Sequence, residues 1–412
     1  MTAGSMTDDS AGRLPAKPLN ADIALVGQAV WVLFFFAISM AAWQYTSSDA
    51  ERYAWLLADF ICAFLFFRYQ SQFINLALAN LVFMSWPVFA MVSAAWSVAP
   101  GASFYFGIQL LMTVLVAFLL CIQFRLEQLV VVVFFGMFLA ALLAVAAALL
   151  PPARGIDFVG NWRGGFPTKN VMGDAMVLLV ISASCLFLQG RWRLLTASAA
   201  VLGLVLIVLT RSATPMLSVM LTLSPLPFAY ALIRSRTVFS LLVGLSLILV
   251  AVVGTGTYVA VTYFGADPIG ALLASFGKER SLTGRTLLWD MAQQAMDAKP
   301  WLGFGFNAYW VDPPAGMLQI RDAFGQKITF FHNNFLEAAV AFGVIGPVLL
   351  IMGIFVAAVR SIRRLLHATD PIEIWPLLIT IQVIIQCPVQ NPLLANHSLW
   401  QVMFVAAAIV RR

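Results

Sequence analysis

Charge is the first thing this chain lacks. Only 10% of its 412 residues are Asp, Glu, Lys or Arg, against about 25% in a water-soluble domain. With so few ions to cover a globular surface, a soluble fold is excluded. Histidine is scarcer, at three residues. Cys62, Cys121, Cys185 and Cys387 fall at scattered spacings inside apolar runs, with no Cys-x-x-Cys among them. Neither a disulfide framework nor a zinc site is expected from that pattern. Internal repeats and low-complexity tracts are also missing.

What the chain has instead is hydrocarbon: 62% of residues are hydrophobic and the mean hydropathy is +0.92. Apolar runs of roughly 18 or more residues read as membrane-spanning helices. The expected fold is therefore an all-α polytopic membrane protein in a lipid bilayer. About twelve transmembrane helices are predicted, over 23–43, 53–67, 73–97, 103–123, 128–150, 171–188, 192–210, 214–233, 237–262, 332–359, 372–390 and 397–410. Met1 to Asp22 (residues 1–22) form a mixed-charge tail. The first apolar run lacks a small-residue cleavage site and reads as a retained helix. The chain thus divides into the tail, spans one to nine over 23–262, a long loop over 263–331, and spans ten to twelve over 332–412.

Alternate connectors carry Arg13 and Lys17, then Arg68, Arg125, Arg191 and Arg193, Arg234 and Arg236, Arg360, Arg363 and Arg364, and finally Arg411 and Arg412. Lys and Arg enrich cytoplasmic loops, so both termini are expected in the cytoplasm. The net charge of +6 records this topology and gives no reason to expect nucleic acid as a partner. The long loop lies on the opposite face. Within it Leu287, Leu288, Met291, Ala292, Ala295 and Met296 recur at helical spacing, predicting an amphipathic helix over 285–299 stopped by Pro300. Its apolar face either lies on the membrane surface or caps the bundle.

Several cations break the topology rule. A long translocated loop tolerates positive charge, so Lys278, Arg321 and Lys327 need no special reason. The connector 151–170 carries Arg154, Arg163 and Lys169, and the turn "TRSAT" is little more than Arg211. A cation between two apolar spans is costly and usually has a partner. Guanidinium forks match phosphate, and Arg285 sits at a helix start, where free N–H groups favour anions. Arg280 is close by in sequence. The blander alternative is an arginine that reaches lipid headgroups. His332 opens the tenth predicted span on the same face. A helix N-terminus and nearby arginines both disfavour imidazolium, and a neutral imidazole beside an anion site suits a general base. Asn333 and Asn334 are candidates to cap the helix or hold a polar ligand. Glu337, four residues after Asn333, is expected to contact it. His397 falls on the same face and could line the same cavity, whereas His367 is cytoplasmic.

Three stretches carry a family resemblance. "GGFPTKNVMG" (Gly164 to Gly173) contains the Lys169–Asn170 pair. "SLTGRTLLWDMAQQAMDAKPWLGFGFNAYW" runs from Ser281 to Trp310. In "HNNFLEAAVAFGVIG" a histidine, His332, is followed after ten residues by Gly343. In order and spacing the chain resembles the O-antigen ligase and Wzy-type polysaccharide polymerase superfamily. It departs where some members place a leucine, at Pro215, which bears on helix geometry after Arg211. The resemblance implies a GT-C-like membrane glycosyltransferase of the bacterial inner membrane with a periplasmic active site. Its donor would be a glycan on undecaprenyl diphosphate, and its acceptor lipid A core or a lipid-linked repeat unit. No cofactor and no metal are implied, and the sequence holds no Asp-x-Asp pair. On this reading His332, Arg211 and Arg285 are catalytic. Lys169, Arg163, Asn170, Asn333, Glu337, Arg280 and His397 bind substrate. Trp289, Trp301, Tyr309 and Trp310 are candidates to stack on sugars or to anchor the loop at the interface. The rival is a transporter or flippase, motivated by the in-span acids Asp59 and Asp174.

Overall fold

The computed structural model describes residues 30–34, 50–150, 155–265, 267, 285–311 and 330–412. The described chain is helical apart from connectors and one isolated bridge between Ile156 and Trp162. Among the described residues six helices are long and apolar enough to cross a bilayer, or seven if a bent pair counts as one span. The protein is a multi-pass membrane protein.

In chain order the helices are α1 (Ala50–Arg68), α2 (Gln70–Ala79), α3 (Leu81–Val92), α4 (Pro100–Gln123), α5 (Leu126–Leu149), α6 (Lys169–Gln189), α7 (Arg193–Leu209), α8 (Ala213–Leu223), α9 (Leu226–Arg234), α10 (Arg236–Phe264), α11 (Arg285–Ala298), α12 (Ala308–Val311), α13 (Asn334–Phe342), α14 (Ile345–Leu366), α15 (Trp375–Gln386) and α16 (Leu399–Ile409). The run predicted over 53–67 is a 19-residue helix despite Asp59. The run predicted over 73–97 is a pair, α2 and the segment from Leu81 to Ala95, bent by 96°.

Burial follows from sequence. α6 lies at the centre, with Met176 to Ala183 buried without interruption. It starts at Thr168, whose hydroxyl accepts from Val171 N–H, and ends at Gly190 in left-handed backbone. α10 is the opposite case: no residue of its apolar window is buried. A stripe of Leu245, Leu249 and Val252 facing outward is stable only in hydrocarbon. Inside the bundle, buried polar pairs join helices. Gln382 on α15 accepts from Thr222 at 2.5 Å and donates to Ser218 at 3.2 Å, both on α8. Trp375 Nε1 donates to Ser182 at 3.1 Å. Such bonds hold spans together where lipid removes the hydrophobic drive.

Contacts between connectors fall into two sets. The basic set is mutual: Leu126 N–H donates to Arg411 O at 3.0 Å, Arg412 pairs with Glu373 at 2.8 Å, and Arg191 pairs with Glu127. Arg360 reaches Asn80, and Arg364 reaches the Val410 carbonyl. The other connectors likewise meet one another, as in Trp162 N–H to Leu209 O at 3.1 Å and Val98 N–H to Phe304 O at 3.0 Å.

The predicted helix over 332–359 is corrected into two, α13 and α14, broken at Gly343 and Val344. Gly343 adopts φ 62° and ψ −149°, a region open in practice only to glycine. A Cβ there would lie 2.3 Å from the Trp301 carbonyl carbon. The break admits the chain that follows α11: Phe304 N–H and Gly305 N–H donate to Val340 O and Ala341 O, and Val344 N–H donates to Pro300 O, each at 2.9 Å. α11 itself buries Leu288, Ala292 and Ala295 against Tyr309, Phe331 and Val340. Leu287, predicted on that face, is 43% exposed, because the stripe follows i, i+4, i+7 from Leu288.

Gly343→Ala is expected to destabilise the fold by about 2–5 kcal/mol through backbone strain and overpacking. Gly244→Ala on α10, where nothing lies within 4 Å of a Cβ, should be neutral or stabilising by up to about 1 kcal/mol. Thermal unfolding of both variants in detergent measures the contrast.

Candidate active site

The junction at Gly343 sets the site. It fixes the chain as far as Asn307, whose backbone turns left-handed at φ 56°. Asn307 Nδ2 donates to Asn396 Oδ1 at 3.0 Å, and Asn396 Nδ2 donates to Gln109 Oε1 at 2.8 Å. These amides edge a chamber of about 760 Å³. Its walls are the first turns of α6 (Val171, Asp174, Ala175, Leu178), the α12 region (Asn307, Trp310), Phe330, the start of α1 (Arg52, Trp55) and the segment from Gln386 to Trp400. Wall composition is mixed: amides and a carboxylate alternate with Trp55, Trp310, Trp400, Phe106 and Phe330.

His332 sits in the loop ahead of α13, not within the helix as predicted, at φ 54°. Left-handed backbone is uncommon for a residue with a side chain and costs of order 1–3 kcal/mol. The neighbours impose it. Asn333 caps α13, its Oδ1 accepting from Phe335 N–H at 3.0 Å and Leu336 N–H at 3.3 Å. Asn334 is fully buried and clasps Leu393 from both sides: Nδ2 donates to its carbonyl at 2.8 Å and Oδ1 accepts its N–H at 2.9 Å. Both asparagine side chains thus hold the entry to α13 in place. The imidazole lies 4.2 Å from the Phe330 ring of the chamber wall. Its Nδ1 is buried and has no hydrogen-bond partner among the described residues. Burial first, and the adjacent Arg285 guanidinium second, push His332 down to about 4. The ring is neutral at pH 7, as expected from sequence, but burial is the main cause.

Glu337 departs from its expected partner. Only backbone joins it to Asn333, with Glu337 N–H donating to Asn333 O at 3.0 Å. Its carboxylate accepts from Trp310 Nε1 at 3.0 Å and from Phe331 N–H. A helix-face argument missed this because the partners come from another segment and from the chain before the cap. Glu337 therefore braces the residue that precedes His332. Of the four aromatic candidates only Trp310 lines the chamber. Trp289 Nε1 is bonded to Phe331 O at 3.1 Å, Tyr309 is buried, and Trp301 is 74% exposed.

Arg211 also adopts left-handed backbone, at φ 49°, and is exposed. The next residue, Ser212, donates to Asn170 Oδ1 at 2.6 Å, which ties the turn to the first turn of α6. Pro215 secures it further: its ring fills the space a Gly173 side chain would take, with Cγ 2.4 Å from a Cβ built there. The departure at Pro215 thus has a packing partner. Lys169 opens α6 and interacts electrostatically with Asp157. Arg163 is partly buried, its N–H bonded to Gly155 O at 2.8 Å. Arg154, Arg280 and Arg321 lie outside the described residues. The structure thus joins Arg285 to His332, and Arg211 to Asn170. Neither group lines the chamber itself; the neighbouring Val171 of α6 and Phe330 do.

Sequence reasoning missed the partner of His397. Its Nε2 lies 3.0 Å from Asp59 Oδ2 on α1. Asp59 is therefore paired, not a lone acid in a span. The pair is separated by 338 positions, and no spacing rule reaches that far. A weaker signal was available: Gln386, Gln390, Asn391 and Asn396 crowd eleven residues of a greasy chain, and all four line the chamber. Among the described residues no group of His, Cys, Asp and Glu could hold a metal ion.

A family model described as O-antigen ligase matches residues 198–351, the stretch from α7 into α14 that contains Arg211, Arg285 and His332. The chain is also 27% identical over 347 residues to the exopolysaccharide production protein ExoQ of Rhizobium meliloti (strain 1021), covering 82% of this chain and 78% of that protein. The chain is thus similar to the O-antigen ligase family over residues 198–351, and to an exopolysaccharide production protein over most of its length. The match to this superfamily spans both halves of the cation–histidine arrangement, and the longer alignment takes in most of the bundle.

His332 should remain neutral from alkaline pH down to about 4. Replacing Arg285 by Gln removes the neighbouring positive charge, so the titration should move up towards the ordinary histidine value. With only three histidines in the chain, NMR of isotope-labelled imidazoles, assigned by His332→Ala, reads both results.

Proposed function

We propose that this membrane protein is a glycosyltransferase that moves a glycan from undecaprenyl diphosphate to a sugar hydroxyl, as an O-antigen ligase or an exopolysaccharide or O-antigen polymerase does. One observation carries the reading. A cationic Arg285 adjoins a neutral His332 with a free ring nitrogen, held in strained backbone against Phe330 of a chamber lined by amides and aromatics. Similarity to the O-antigen ligase family and to ExoQ supports a ligase or polymerase role. ExoQ, by its name, serves exopolysaccharide production.

In the proposed reaction the acceptor oxygen attacks C1 of the donor sugar. The C1–O bond to the diphosphate breaks and the configuration inverts. His332 Nδ1 takes the hydroxyl proton as general base. The negative charge that grows on the leaving diphosphate is met by Arg285 and Arg211, with Lys169, Arg163 and Arg280 in support and Asn170 fixing the Arg211 turn. Fixed cations in a water-poor site favour the transition state over the ground state, and they do so without a metal. The donor lipid would lie among the spans. The basic connectors would face the cytoplasm with both termini, giving about twelve crossings of the inner membrane, a GT-C-like layout and a periplasmic chamber. The mutual contacts of the basic connectors support that orientation.

A second reading, a carrier for a lipid-linked or anionic substrate, keeps one observation in its favour. Asp174 lines the chamber within a spanning helix, and its Oδ1 has no hydrogen-bond partner among the described residues. Reconstituted protein given lipid-linked glycan separates the readings, since a carrier forms no new glycosidic bond. For the transferase, His332→Ala should lower turnover at least a hundredfold. Arg211→Ala and Arg285→Ala should each cost about 3 kcal/mol, or 10²–10³ in rate. Gel analysis of glycan length measures all three. Full activity in His332→Ala sinks the proposal.

A further inference from the structure

The wall of the chamber formed by α1 is built with more care than a packing surface needs. Arg52, Trp55 and Asp59 lie at i, i+3 and i+7, on one face of the helix. Opposite them stands His397, in left-handed backbone at φ 55°. Its N–H donates to Thr113 Oγ1 on α4 at 2.9 Å. Its ring stacks on Trp55 with centroids 4.9 Å apart and planes 10° from parallel. Its Nε2 meets Asp59 Oδ2 at 3.0 Å, the two side chains being 13% and 15% exposed. Residue 396 is tied as well, to Asn307 and Gln109.

A hydrogen-bonded pair that served packing alone would be expected to satisfy its polar atoms. Here Asp59 Oδ1 and Trp55 Nε1 are buried without partners among the described residues. His397 Nδ1 also has no hydrogen bond from any described residue, and the residue belongs to the chamber wall. With Nε2–H donating to Asp59, the neutral ring keeps Nδ1 as an acceptor. The neighbours complete a set suited to vicinal hydroxyls: the Asn391 side-chain oxygen, unpartnered among the described residues, and the Gln386 amide, which faces Asp174 across the same chamber. The two histidines also differ in their company. His332 stands beside the Arg285 guanidinium, whereas His397 is braced by the Asp59 carboxylate.

We infer that the Asp59–His397 pair, with Asn391 and Gln386, forms the subsite for the acceptor saccharide, His397 Nδ1 accepting a hydrogen bond from a hydroxyl of a neutral pyranose. The assignment to the acceptor rests on the transferase reading; the saccharide site itself rests on the geometry alone. Asp59 is then a positioning residue acting through His397.

The test uses full-length protein in nanodiscs. The donor is the lipid-linked oligosaccharide extracted from membranes of cells lacking this chain. The soluble acceptor is the same oligosaccharide released from its diphosphate by mild acid. Binding of the released oligosaccharide is read by tryptophan fluorescence without donor, and transfer is read with each substrate varied in turn. His397→Ala and Asp59→Asn should weaken oligosaccharide binding and raise the acceptor KM tenfold or more, with the donor KM within twofold. His397→Gln, which keeps an acceptor atom, should recover part of the loss. Wild-type protein that fails to bind the oligosaccharide overturns the subsite, as do folded variants with wild-type acceptor KM. Wild-type protein that binds in a His397-dependent way but transfers nothing would sink the transferase reading and leave the saccharide site standing.

Discussion

Three backbone hydrogen bonds at the Gly343 break organise the outer end of this bundle. Phe304 and Gly305 donate into the end of α13, and Val344 returns a bond to Pro300. Within a bilayer an irregular backbone survives only where protein or a water-filled cavity satisfies its polar groups. The break and the chain after α11 satisfy each other, so neither has to be helical. Three other features depend on that exchange: the position of Asn307, the seat of α11 on Tyr309, Phe331 and Val340, and the entry of the chain into α13 just after His332.

The residues that line or flank the chamber share a backbone feature. Arg211, Asn307, His332 and His397 all have φ between 49° and 56°. Each costs of order 1–3 kcal/mol and is held by bonds from other elements: Ser212 to Asn170, Asn307 to Asn396, Asn334 to Leu393, and His397 N–H to Thr113. A helix ends at or begins just after each of Arg211, His332 and His397, which turns the side chain out of the helical array. A left-handed residue at a helix end is an economical way to aim a functional group in a fold made of straight rods.

Electrostatics divide the chamber in the proposed mechanism. Arg285 meets His332 and Arg211 borders α6 on one side; amides, Arg52 and the Asp59–His397 pair hold the other wall. A reaction that expels a diphosphate while binding a sugar has use for both kinds of surface.

The sequence by itself determined the class of molecule. Hydropathy and scarce charge are summed over neighbours, so the apolar runs around α4 to α10 and α14 could be read directly. The α11 stripe was legible for the same reason, and the placement of Arg211, Arg285 and His332 in short polar stretches between apolar runs is what marks them locally as candidates. Other features were not legible. The split of α13 from α14 depends on Trp301 pressing on Gly343, the bond from Glu337 to Trp310 crosses segments, and the pairing of Asp59 with His397 spans 338 positions. Those are contacts between distant parts of the chain, and their energy exists only once the helices have packed. The tertiary structure therefore decided which polar residues share the chamber, because solvation is a property of each residue's own stretch whereas proximity is a property of the whole fold.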